Sequence, residues 1–207
     1  MKNILVAFML VLAVGAGFAF NSGNPSAEVG KEAPTFTLMD ADGKKVSLTD
    51  FKGKVVVLEW TNPGCPFVVA HYKSGNMQAL QKKYTEKGVV WLTVNSTNKE
   101  HKDFLVGEKA KAQFGEWKAS YTKYLVDAEG EVGRTYGAKT TPHMFVINAE
   151  GKLVYQGAID DKESASEGGK GAKVNYVSQA IDEIMAGKAV SQNSTRPYGC
   201  SVKYASK

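Results

Sequence analysis

Apolar positions along this chain fall into short runs, and the runs alternate between the spacing of strands and the spacing of helices. Val55 to Trp60 is nearly continuous, as expected of a central strand covered on both faces, and Val89 to Val94 repeats the pattern. Thr35 to Met39 and Lys45 to Leu48 flank Asp40-Ala-Asp-Gly43, which predicts a β-hairpin near the N-terminus. Pro66 opens a helix expected to run to Lys87, with a kink near Gly75 and Gly88 as its stop. Glu100 to Phe114 is charged and helix-prone, with Phe104 and Ala112 expected to face inward. Lys123 to Val126 predicts a short strand and Glu131 to Tyr136 a short helix. His143 to Ile147 and Leu153 to Gln156 form a second hairpin around Ala149-Glu-Gly151. Gly168 to Gly171 is a loop, after which Val174, Val177, Ile181 and Ile184 recur at helical spacing. Strands alternating with helices, plus terminal hairpins, indicate an α/β fold on a mixed sheet of about five strands.

The two ends depart from this pattern. Met1-Lys2-Asn3 precedes an apolar stretch from Ile4 to Val14 and small residues up to Ala19, the pattern of a secretory signal peptide cut after Ala19. An uncleaved anchor is the rival, but spanning a bilayer takes roughly 20 apolar residues. No cysteine follows the run, which excludes a lipoprotein anchor. Residues 20–28 read as a flexible lead-in, 29–187 as one domain, and 188–207 as a polar tail carrying Cys200. The net charge of +5 is dispersed among acidic residues, so it gives no nucleic-acid footprint. After loss of the leader no segment is apolar enough for a membrane.

Chemistry concentrates on cysteine. There are two, Cys65 and Cys200, and an exported chain meets an oxidising compartment in which such a pair tends to be bridged or redox-active. Cys65 follows a strand and the turn Asn62-Pro63-Gly64, and precedes Pro66. Proline favours the first helical position, so Cys65 becomes the N-cap, where free N–H groups and the helix dipole favour a thiolate. A buried, inert cysteine is the bland alternative.

Gly30-Lys-Glu-Ala-Pro34, Phe36, Leu38, Asp42-Gly43-Lys44, Asp50-Phe51, the stretch Trp60 to Tyr72 around Cys65, and Gly137-Ala-Lys-Thr-Thr-Pro142 together resemble the redoxin branch of the thioredoxin superfamily. With Tyr198 to Tyr204 (Tyr-Gly-Cys-Ser-Val-Lys-Tyr), the chain resembles exported peroxiredoxin-like redoxins of the alkyl hydroperoxide reductase and thiol-specific antioxidant type. The resemblance covers roughly residues 29–204. It implies a thioredoxin-like fold, a central mixed β-sheet flanked by helices with an N-terminal β-hairpin extension. It also implies thiol redox chemistry with Cys65 as nucleophile and Cys200 as candidate resolving cysteine.

Three further roles come with the resemblance. Glu59 stands six residues before Cys65, where thioredoxins carry a buried acid that relays a proton; a carboxyl buried there would titrate near neutrality, whereas one at the strand end would reach solvent. Thr141 and Pro142 imply a cis peptide bond beside the cysteine, and an exposed Thr141 backbone able to pair with an extended substrate. Trp60 and Phe67 flank the site as candidate substrate contacts, although aromatics beside a central strand are usually core. The chain also departs from its relatives. Val68 stands where thioredoxins carry a second cysteine, Asn62 and Leu58 where peroxiredoxins carry Thr or Ser and Pro, and no arginine stands near the strand after Pro142. Those departures favour disulfide exchange over peroxide reduction.

No cofactor is called for. The expected partners are a protein or small-molecule disulfide, peroxide as a further oxidant, and a thiol reductant. Two rivals stay open. Cys65 and Cys200 with His71, His101 or His143 would make a soft metal site for a metallochaperone, though Cys65 and His71 fall on different helix faces. Alternatively, a Cys65–Cys200 bridge would be purely structural in a redox-inert module.

Overall fold

The computed structural model describes residues 26–206. The leader over 1–19 and most of the lead-in lie outside the described residues.

Strand β3 (Val56–Trp60) is buried along its whole length, as its apolar run requires. It is flanked by β4 (Val90–Asn95), parallel to it, and by β7 (His143–Ile147), antiparallel to it, and both are equally buried. Outside β4 lies β5 (Lys123–Val126), parallel; outside β7 lies β8 (Leu153–Gly157), antiparallel. The hairpin β1 (Thr37–Asp40) and β2 (Lys45–Ser47) extends this five-stranded centre, as expected. Met39 and Asp40 pair with Val126 and Leu125, so the five central strands and the hairpin make one seven-stranded mixed sheet in the order β2-β1-β5-β4-β3-β7-β8. A separate two-stranded ladder joins β6 (Thr140–Thr141) to β9 (Cys200–Ser201).

Alternate residues of β3 feed two cores. Val57 joins α1 (Pro66–Lys73), α2 (Asn76–Thr85), α3 (Gly107–Glu116) and α5 (Tyr176–Met185) on one face. Val56, Leu58 and Trp60 join the N-terminal segment and α4 (Glu131–Tyr136) on the other. The helix expected from Pro66 to Lys87 is two helices, because Gly75 takes φ of 81° and Ser74 Oγ donates to His71 O and Gly168 O. The helix expected from Glu100 begins only at Gly107. Residues 98–104 form turns instead, with Asn98 Oδ1 accepting from Glu100 N. Ala112 is exposed, and Ala110 and Phe114 supply the inward face. Val174 is exposed ahead of α5.

The tail is ordered against the domain. Thr195 Oγ1 accepts from Ala158 N, Val202 N donates to Lys139 O, and Asn98 N donates to Lys203 O. Tyr204 Oη donates to Ala138 O, its ring lies over Gly130 and Gly133, and Arg134 Nη2 donates to Ala205 O. Each anchor is a single side chain or backbone group, which explains why the tail has no hydrophobic period.

Candidate active site

Cys65 is the N-cap of α1, in extended geometry with Pro66 as the first helical residue. The turn before it is fixed by Asn62, whose Oδ1 accepts from Gly64 N and whose carbonyl accepts from Cys65 N. The Cys65 side chain lies at the start of the helix, where unpaired N–H groups favour negative charge. It is only 2% exposed, and its thiol donates to Thr141 O at 3.0 Å. The Thr141–Pro142 bond is cis.

Cys200 arrives from the tail at the same place. It pairs with Thr141 across the β6–β9 ladder, lies beside Cys65, and is half-buried; both thiols are free. Burial and the neighbouring Cys65 push the Cys200 thiol well above its ordinary range. Gly199 makes the approach possible. Its φ is 124°, and a Cβ there would run into Thr141 O, so only glycine fits. The structure therefore gathers Cys65, Thr141, Pro142 and Cys200, and the sheet edge expected to receive an extended substrate holds the chain's own residues 200–201.

Glu59 is fully buried in β3, on the face that carries α1 and α2. Tyr72 Oη donates to its Oε1 at 3.0 Å; Gln81 Nε2, Trp91 Nε1 and Thr93 Oγ1 donate to Oε2 at 3.0, 2.8 and 3.2 Å. The donors favour the carboxylate, but loss of hydration outweighs them and raises its pKa to about 7. Phe67 is partly buried beside the cysteines, with its ring 5.9 Å from that of Tyr198. Trp60 lies away from them, in the core of the opposite face, with Nε1 donating to Ser96 Oγ.

A buried polar chain next to the site was not foreseen from the sequence. Asn76 Nδ2 contacts His71 Nδ1 at 2.8 Å; His71 Nε2 contacts Tyr198 Oη at 3.0 Å; Tyr198 Oη donates to Asp160 Oδ1 at 2.6 Å. An amide nitrogen can only donate, so the His71 proton sits on Nε2. Burial lowers His71 to about 4 and keeps it neutral, while burial raises Asp160. The chain ties the tail, through Tyr198, to the end of α1. Asp160 following the apolar Ala158-Ile159 was the available signal. His143 is buried against Phe145, Nδ1 accepts from Lys139 N, and burial lowers its pKa to about 3; His101 lies apart, beside Asp103. Both ring nitrogens of His71 thus have protein partners, and among the described residues no three His, Cys, Asp or Glu side chains converge as a metal site. Arg134 is committed to the backbone of Glu129 and Ala205.

Comparison with known proteins bears on the family and the fold. Residues 28–181 match the Redoxin family, a match that ends before Cys200. The thiol-disulfide oxidoreductase ResA of Bacillus cereus is 32% identical over 157 residues, 73% of this chain and 84% of that protein. An uncharacterized conserved protein from Geobacillus kaustophilus superposes with a TM-score of 0.76 at 29% identity, over 87% of this chain and 94% of the other. A hypothetical protein from Sinorhizobium meliloti gives 0.75 at 27%, over 88% and 97%. With most of its domain matched and a thiol-disulfide oxidoreductase at that level of identity, the chain belongs to the Redoxin family of the thioredoxin superfamily.

Proposed function

We propose that this protein is an exported thiol–disulfide oxidoreductase, periplasmic or secreted, in which Cys65 is the nucleophile and Cys200 resolves the adduct. The observation that carries this reading is the meeting of Cys65, at the N-terminus of α1, with Cys200 on the residue that Cys65 contacts, Thr141. Thiolate attack on a disulfide forms a mixed disulfide, and a second thiol within reach then releases the product. Glu59, buried and titrating near neutrality, is suited to hold a proton in that cycle. The redoxin relatives include a thiol-disulfide oxidoreductase, which supports the same chemistry. The leader pattern of residues 1–19 supports export.

The test is oxidation of the reduced protein by a small disulfide, followed by mass spectrometry. The wild type is expected to form a Cys65–Cys200 bond, and Cys200→Ser to stop at a mixed disulfide on Cys65. Cys65→Ser is expected to react only at surface-thiol rate. Wild-type speed in Cys65→Ser would overturn the assignment.

A further inference from the structure

Extended polypeptides bind many proteins by adding a strand to an open sheet edge, gaining backbone hydrogen bonds along it. The edge against the Cys65 thiol is β6, and here it is already paired: Thr140 with Ser201, Thr141 with Cys200. The strand that fills it is anchored on both sides. Before it, Tyr198 is buried and bonded to Asp160 and His71, and Gly199 lies against Thr141 O where no larger residue fits. After it come Val202 N to Lys139 O at 3.1 Å, Asn98 N to Lys203 O at 2.8 Å, and Tyr204 Oη to Ala138 O at 2.8 Å. An incoming strand would replace the β6 pairings one for one and lose every anchor. A compact disulfide has no extended backbone to pair with β6, so it needs only a local opening beside the half-buried Cys200 to reach the sealed Cys65, and not displacement of the whole anchored strand.

We propose that β9 sets the substrate class: it shuts out extended polypeptide disulfides and confines exchange at the Cys65–Cys200 pair to compact, low-molecular-weight disulfides and thiols. The proposal rests on the reading of the two cysteines as the redox pair. For a compact disulfide RSSR, the Cys65 thiolate attacks one sulfur, the S–S bond breaks and RS⁻ leaves. The Cys200 thiol, giving its proton to solvent, attacks Cys65 Sγ and expels the second RS⁻. RSSR is reduced by two electrons, and the protein is left as the Cys65–Cys200 disulfide. A compact thiol reverses the same steps.

The test compares two oxidants on the reduced full-domain protein. One is 2-hydroxyethyl disulfide; the other is the disulfide dimer of a linear, unstructured peptide with a central cysteine. The wild type is expected to react with the compact disulfide at least about tenfold faster, beyond the difference that the free peptide thiol itself shows. Gly199→Val and, independently, Val202→Pro loosen the strand from opposite sides. In each the ratio of peptide to compact rate is expected to rise about tenfold or more. The Val202 variant removes a single hydrogen bond at the far end of the ladder, so it keeps the test open if Gly199→Val does not fold. Equal rates in the wild type, or a ratio that neither folded variant changes, would overturn the proposal. Oxidation of the wild type with no Cys65–Cys200 bond detected would instead sink the redox pair, an outcome read by mass and separate from the rate ratio.

Discussion

Thr141 faces Cys200 across the β6–β9 ladder while its carbonyl accepts the Cys65 thiol, so one residue of β6 touches both cysteines. A nucleophile at a helix N-terminus is ordinarily open to its substrate; this one is covered by its own partner. The tail from Tyr198 to Tyr204 thus acts as cover and as carrier of the second thiol, and opening it is coupled to separating the pair.

That coupling predicts how Cys65 responds to alkylation. With the residue 2% exposed, a reagent reaches it through strap opening. Gly199→Ala places a side chain at φ of 124° and against Thr141 O. Strain of that kind costs roughly 1–3 kcal/mol, which raises the open population by about fivefold to 150-fold. Labelling of Cys65 in the reduced protein, followed by peptide mass, should accelerate by that factor. An unchanged rate would mean that the strap does not guard the thiol.

Glu59 gives a pH prediction with a definite sign. Its pKa is raised from 4.5 to about 7 in the folded chain, so the fold binds its proton more tightly than the unfolded chain does. The resulting stability is fully present below about pH 4.5 and is lost as pH rises through 7, a difference of roughly 3 kcal/mol. In Glu59→Gln the amide oxygen can take the three donors at Oε2, and the amide nitrogen can donate to Tyr72 Oη. Urea unfolding at pH 8 should find the variant more stable than the wild type, with the gap closing at pH 5. A less stable variant at pH 8 would mean that the carboxylate is better solvated than its burial implies.

What the sequence made legible was local. β5 and α4 run over the expected residues because their apolar positions are bounded by turn residues on both sides. Cys65 as N-cap follows from Pro66 alone. Features set by distant contacts were not legible. Nothing in Thr37 to Asp40 says that this hairpin pairs with β5, and Glu100 to Val106 has helix-forming composition, yet Asn98 is held by Lys203 from the tail. The Tyr198–Asp160 bond joins residues 38 apart and could be seen only once the tail was placed. Glu59 was placed between burial and solvent by its position in β3, and only its four donors from α1, α2 and β4 show which environment it has.

Peroxide provides the contrast for the proposed chemistry. Asn62, where peroxiredoxins carry a hydroxyl, spends its side chain on Gly64 N, and Leu58 is buried in the core. Arg134 is held by two backbone carbonyls. Without those groups to organise a peroxide, hydrogen peroxide should oxidise the reduced protein at the rate of an ordinary thiolate of similar access. Stopped-flow comparison with 2-hydroxyethyl disulfide decides the matter. Peroxidase-like speed, with the disulfide at free-thiol rate, would put the protein in a different reaction class.

Tyr198→Phe probes the polar chain behind the strap. The substitution keeps the ring that packs on Phe67 and His71, and removes only the hydroxyl. Asp160 Oδ1 is then left with Lys162 N as its donor, Oδ2 already has no partner, and His71 Nε2 loses its acceptor. Leaving buried groups unpaired costs about 1–3 kcal/mol, measurable as a shift in urea midpoint. The cost should depend on pH. Burial already raises the Asp160 pKa, and the Tyr198 hydroxyl is the side-chain donor that opposes this. Without it the folded pKa rises further, so the stability tied to the bound proton is lost over a wider range as pH climbs. The penalty of the variant should therefore be larger at pH 8 than at pH 4.5. A penalty that is flat across that interval would show that the hydroxyl acts on His71 and the packing of the tail, and leaves the charge of Asp160 unaffected.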